Sequence, residues 1–239
     1  MSIKLHQIPF SHNTKKVRVA LRAKGLEFNA VDVNPILRPR IRVSSGQWLL
    51  PVLEEDGRFI GDSTAICLYL EGRYPEPALL PVEPDERAEA LRAARWADDS
   101  FMELTRRIAY AKITANPEVM AQMFFPGLPG RAGPAVGRGL AAAIRRRFAV
   151  SEARSGADVD EALAVSAQAD RLRGGRDFLF GGRLSLADIS LAAMSAPLAL
   201  GPPRLTGDPV VAGLLEWGSG ILGPDGYGPA TPGGSLLAT

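Results

Sequence analysis

The chain has 239 residues, 46% of them hydrophobic and 23% charged, with a formal net charge of +2. That is enough chain for one large or two small domains with a sizeable core, and so balanced a charge selects neither nucleic acid nor an acidic membrane. A single cysteine, Cys67, excludes an intrachain disulfide and a cysteine-based zinc site, and two histidines, His6 and His12, argue against any metal centre. The opening MSIKLHQIPF lacks the basic and long apolar regions of a signal peptide. No stretch approaches the roughly 18 uninterrupted apolar residues of a membrane span, so no membrane role and a cytoplasmic location are expected. The basic run Arg145-Arg146-Arg147 lies in a helical pattern and reads as a solvated face.

In chain order, Ile3 to Gln7 reads as a short strand closed by Pro9. Thr14 to Lys24 reads as a helix, with Val17, Ala20 and Leu21 at helical spacing and Gly25 where a C-terminal cap belongs. Phe28 to Val33 is a second strand, so the chain opens β-α-β, which favours a parallel pair. From Asn34 to Trp48 the pattern breaks, with room for one short helical turn. Pro51-Val52-Leu53 reads as a strand, Glu54 to Gly57 as a turn and Arg58 to Ile60 as the antiparallel return. Asp62 and Ser63 are capping types ahead of a helix from Thr64 to Tyr74, stopped by Pro75 and Pro77.

The strand signal then ends. Helical patterns follow at Glu86 to Thr114, Ala135 to Ala153, Asp158 to Leu172, Leu184 to Ala196 and Pro209 to Ile221, with a Gly/Pro-broken stretch from Phe124 to Pro134. The expected division is an α/β domain over 1–80, a linker at 81–85, an all-helical domain over 86–222 and a frayed tail over 223–239.

Three segments together resemble the cytosolic glutathione transferase superfamily. They are Pro9-Phe10-Ser11-His12-Asn13-Thr14 leading into Val17-Arg18-Val19-Ala20-Leu21; Leu50-Pro51-Val52-Leu53 with Ile60-Gly61-Asp62-Ser63-Thr64-Ala65-Ile66; and Phe180-Gly181-Gly182 with Leu184-Ser185-Leu186-Ala187-Asp188-Ile189. The first two cover the front domain almost completely, and the third is a short anchor in a divergent back half. The resemblance implies a thioredoxin-like front domain that binds glutathione, an all-helical back domain that builds the second substrate's pocket, and a homodimer.

Ser11 is the sharpest candidate for catalysis. It stands between the first strand and the N-terminus of the first helix, where N–H groups and the helix dipole favour an anion. A hydroxyl donating to sulfur favours the thiolate and lowers its pKa. The duller reading is that Ser11 only caps the helix. Asn13 and Thr14 are the alternatives if the helix starts later, and His12 reads as an exposed loop residue. Ser11-His12-Asn13-Thr14 stands where thioredoxin-like relatives carry Cys-x-x-Cys, so dithiol chemistry is excluded, and Cys67, inside a helical pattern, is poorly placed for thiol transfer.

The resemblance further implies a cis Leu50–Pro51 bond that turns the Leu50 backbone toward glutathione. It places the γ-glutamyl end at Asp62 and Ser63, Asp62 being the alternative holder of the ammonium, and the glycine end at Gln47. Ser185 and Asp188 read as a structural capping box. Asp98 falls on an apolar helical face and needs a partner, Arg95 being one turn away. Met102 and Tyr110, with Phe124 and Phe125, are candidates for a substrate wall or for core. The expected function is activation of the glutathione thiol toward a small electrophile, without a metal. The rival is a non-catalytic binding or interaction protein of the same architecture, disfavoured because Ser11, Pro51 and Ser63 are all present.

Overall fold

A computed structural model describes residues 2–33, 42, 45–125 and 132–225. Strand β1 (Ile3–Gln7) leads into helix α1 (His12–Ala23), then β2 (Asn29–Asp32), β3 (Val52–Glu55), β4 (Arg58–Gly61) and helix α2 (Ser63–Arg73). The sheet order is β2-β1-β3-β4. β1 runs parallel to β2 and antiparallel to β3, and β3 pairs antiparallel with β4. The expected four-residue turn is tighter. Glu54 and Glu55 belong to β3, and only Asp56 and Gly57 turn, both with positive φ (49° and 81°), the geometry a two-residue hairpin needs. Of the irregular stretch after β2, positions 34–41, 43 and 44 lie outside the described residues.

The back half is helical: α3 (Pro84–Ile113), α4 (Pro117–Phe124), α5 (Gly133–Arg147), α6 (Glu152–Arg173), α7 (Leu186–Ser195), α8 (Pro203–Thr206) and α9 (Pro209–Leu222). α3 starts inside the expected linker, with Glu83 capping Asp85 and Glu86 and Pro84 in the first turn. Two differences from the sequence reading matter for the site. Asn116-Pro117, read only as a stop, also starts α4, the Asn116 side chain accepting from Glu118 and Val119 N–H groups. The single helix expected from Ala135 to Ala153 is broken at Phe148 to Ser151, where Ala149 adopts φ 53°. Residues 223–225 are not frayed: they form a short turn whose Asp225 is buried and paired with Arg18 and Arg22 of α1.

One apolar core runs through both halves, joining Val17, Leu21, Leu53 and Ile66 to Phe101, Ile189 and Leu214. Asp188, fully buried, holds the start of α7. Its Oδ2 accepts from Ser185 N–H at 2.8 Å, and its Oδ1 from Leu179 N–H at 2.8 Å. The capping box is present, and burial raises the Asp188 pKa. A smaller cluster of Ile113, Met120, Phe124 and Ala141 ties α3, α4 and α5 together against Phe10. Among the described residues no helix is long and apolar enough to cross a membrane.

Candidate active site

A cleft of about 1350 Å³ opens between the two halves. One limb is polar and is built by the front domain. Ser11 is the N-cap of α1, its C=O accepting the Lys15 N–H at 3.0 Å, so the N–H groups of His12, Asn13 and Thr14 have no intrahelical acceptor. The Ser11 side chain makes no capping bond and borders the cleft. Asn13 also borders it, its amide donating to Met102 Sδ at 3.8 Å and its Oδ1 accepting from Ser63 Oγ at 3.5 Å. Across the cleft the Leu50–Pro51 bond is cis. Gln47 lays its side-chain amide against Gly61 at the end of β4, in the space a Cβ there would take.

At the start of α2, Asp62 (φ 68°) caps the helix with one oxygen, accepting from Thr64 and Ala65 N–H groups at 2.9 Å each. Those two N–H groups at the helix start are therefore taken, which leaves Ser63. Beneath it lies a buried charged cluster. Lys16 Nζ donates to Asp98 Oδ2 at 2.6 Å and to Thr64 Oγ1 at 2.8 Å, and Thr64 Oγ1 donates to the same Asp98 oxygen at 2.9 Å. Asp98 Oδ1 is buried at the cleft with no hydrogen-bond partner among the described residues. Asp98 thus answers to Lys16, not to Arg95.

The other limb is apolar, lined by Phe10, Met102, Tyr110, Phe124, Ile144 and Phe148. Two cations enter it. Arg106 and Arg147 each place a guanidinium carbon 5.3 Å from the centroid of the Phe148 ring, which packs 5.0 Å from Tyr110. Arg106 also lies 3.5 Å from His12 Nε2. A guanidinium only donates, so Nε2 accepts and the ring proton belongs on Nδ1. His12 is buried in the first turn of α1, not exposed in a loop. Burial, then the charges of Arg106 and Lys15, push its pKa down to about 3, so the imidazole is neutral.

The residues singled out in the sequence thus divide. Ser11, Asn13, Gln47, Leu50, Pro51, Asp62, Ser63, Met102, Tyr110 and Phe124 all border this cleft. Thr14 does not: it is fully buried, its hydroxyl directed into the protein without a partner among the described residues. Phe125 packs against the α4–α5 cluster instead. Cys67 is buried in α2, and burial pushes its thiol up to about 12, so it carries no thiolate chemistry. Sequence reasoning missed Lys16, Arg106 and Phe148, and read Arg147 only as part of a solvated basic face; it is exposed, but at the mouth of the cleft. Lys16 reads as a surface lysine of an amphipathic helix, and the other three converge only once α5 folds back over α3.

Residues 5–78 match the family model described as "Glutathione S-transferase, N-terminal domain". The front domain is thus that of a glutathione transferase, and together the comparisons support the cytosolic glutathione transferase superfamily. Among curated proteins it is similar to Protein LigF of Sphingobium sp. (strain NBRC 103272 / SYK-6), 33% identical over 124 residues that span 46% of each chain. It is also similar to the maleylacetoacetate isomerase of Pseudomonas aeruginosa, 38% identical over 93 residues, 36% of this chain and 44% of that one. The matched region is thus less than half the length of these relatives. Among solved structures, β-etherase LigF of Sphingobium sp. strain SYK-6 superposes with a TM-score of 0.71 at 24% identity, covering 100% of this chain and 99% of that one, a likeness of fold. A glutathione S-transferase from Rhodospirillum rubrum F11 gives a TM-score of 0.60 at 25% identity, covering 99% and 92%.

Proposed function

We propose that the chain is a glutathione-dependent enzyme that holds glutathione in the polar limb of the cleft and presents its thiol to a small electrophile in the apolar limb. The observation that carries this reading is Ser11. Its hydroxyl stands at the mouth of α1, bordering the cleft, and is not used to cap the helix. It is therefore available to donate to a sulfur, beside three N–H groups and a helix dipole that favour negative charge.

The donor set fits the rest of the peptide. Leu50, at the cis bond, offers main-chain groups for strand-like pairing. Ser63 offers its N–H and hydroxyl to the γ-glutamyl carboxylate. Asp98 Oδ1, buried and unpartnered, is an acceptor suited to the ammonium, a better one than Asp62, whose carboxylate is committed to α2. Gln47, held against Gly61, faces the glycine end. Glutathione, once bound, supplies the nucleophilic sulfur; the chain orients it, favours its ionised form and walls the reaction from water. LigF is a β-etherase and the Pseudomonas protein an isomerase, so the fold alone does not choose between ether cleavage, isomerisation and conjugation. The active form is a homodimer, as is typical of the family.

A thermal-shift titration to millimolar glutathione tests the reading, because a ligand that binds only the native state raises its melting temperature. A rising melting temperature and retention on immobilised glutathione are expected. Neither shift nor retention would sink it.

A further inference from the structure

The apolar limb carries two guanidinium groups that the glutathione reading leaves unused. Arg106 stands on α3 one turn before Tyr110, its side chain 18% exposed. Of the five N–H donors of a guanidinium, its hydrogen bonds among the described residues use those to Glu103 and His12. Glu103 is 61% exposed, so solvent screens that pair, and His12 is neutral and brings no counter-charge. Arg147 has no carboxylate partner among the described residues, and it flanks the same Phe148 ring as Arg106. Two like charges therefore meet on one aromatic ring at the edge of an apolar cavity. Of the other acids bordering the cleft, Asp62 caps α2 and Asp98 pairs with Lys16 in the other limb, and exposed Asp99 pairs with neither arginine among the described residues. Arg106, 18% exposed, is costly there unless an anion answers it; exposed Arg147 adds a second positive charge beside it, and a planar guanidinium fork matches a carboxylate.

We propose that the electrophile is an aromatic carboxylate, its ring packed against Phe148 and Tyr110 and its carboxylate held by Arg106 and Arg147. That the bound molecule then reacts rests on the glutathione reading; the anion site does not. The test is calorimetry of a dinitrobenzoate, which has no leaving group, against the neutral dinitrobenzamide, with glutathione present. The benzoate should bind at least about tenfold more tightly. Arg106→Gln and Arg147→Gln should each erase most of that advantage while leaving the amide within about twofold; Arg147 is exposed, so its variant is not expected to disturb folding. A chlorodinitrobenzoate should likewise show a lower KM than its methyl ester. Equal binding, tighter binding of the amide, no binding of either, a lower KM for the ester, or a preference that survives both variants overturns the proposal. Benzoate selectivity with neither a glutathione thermal shift nor retention on immobilised glutathione would defeat the glutathione reading and leave the anion site standing; a glutathione shift without selectivity does the reverse.

Discussion

On the proposed reading, Ser11→Ala should leave glutathione affinity nearly intact, because Leu50, Ser63 and Asp98 would hold the peptide elsewhere. It should raise the pKa of the bound thiol and slow turnover roughly tenfold to a hundredfold, the worth of one hydrogen bond to a charged group at ~1.5–3 kcal/mol. Thiolate absorbance of bound glutathione followed against pH reads the shift. Asn13→Ala is the control for register, since Asn13 shares the cleft; a raised thiol pKa there, with Ser11→Ala silent, would move the role by two residues. Thr14 drops out, being buried. The motif made all three visible in the sequence, but only the start of α1 at His12 separates them, and helix ends are the least legible feature of a pattern. Asp98 was legible as an oddity, a carboxylate on an apolar face, yet its partner lies 82 residues earlier and no local spacing points to Lys16. Asp98→Asn leaves the Lys16 ammonium buried without a carboxylate, at a cost of about 3–5 kcal/mol. Chemical denaturation should show that loss, and Lys16→Met added to it should restore much of the stability. Additive losses in the two single variants would mean that the pair is not coupled.

The front-domain elements were legible because their signals are local and agree: β-formers, Gly25 at φ 66°, and a two-residue turn at Asp56-Gly57. The failures sit in α4 to α6, the part that shapes the apolar limb. α4 has only 8 residues, and its Asn-Pro start was masked by the end of α3. The break after α5 has no glycine or proline to announce it. Ala149 takes a left-handed φ there, and the neighbouring Val150 is buried, so tertiary packing overrides a preference worth about 1–2 kcal/mol. Gly137 shows how tightly this lobe is built. It lies inside α5, where alanine is favoured over glycine by about 1 kcal/mol. A methyl at that position would overlap the carbonyl oxygen of Pro117 in the first turn of α4, and backbone cannot step aside as a flexible side chain can. Overpacking at a cost of about 1–3 kcal/mol should win. Gly137→Ala is therefore expected to lower the melting temperature and to alter KM for the electrophile more than glutathione affinity. An unchanged or higher melting temperature would mean that α4 and α5 are not in contact as described.

Over the whole molecule, helix α1, which carries Ser11 at its start, is fastened from behind by the turn at Gly223–Asp225. Asp225 pairs with Arg18 and Arg22, Arg22 also donates to the carbonyls of Ile221 and Leu222, and Lys15 donates to the Asp225 carbonyl. None of this was legible, since a Gly/Pro-rich terminus offers no periodicity. Assembly is a separate question at this scale. Leu49 (70% exposed) and Leu68 (41%) leave apolar surface beside the cleft, and sedimentation should give a dimer, a clean 25.5 kDa monomer defeating that expectation. The fastening itself predicts a pH dependence. Burial pulls the Lys15 pKa down from 10.5 to about 8, against the attraction of Asp225. Below about pH 8 both folded and unfolded chains hold this proton, and the full cost of the buried ammonium is present. Between about pH 8 and 10.5 the unfolded chain keeps the proton and the folded one releases it. Stability rises with pH wherever the unfolded state binds more protons, so Lys15 adds to stability across that window, by at most about 3 kcal/mol. Other groups titrate there too, so the quantity to measure is the difference in unfolding free energy between the natural protein and Lys15→Met in urea. It should move in favour of the natural protein as the pH climbs through the window. A flat difference, or one moving the other way, would show that Lys15 keeps an ordinary pKa and that the turn at Asp225 does not bury it.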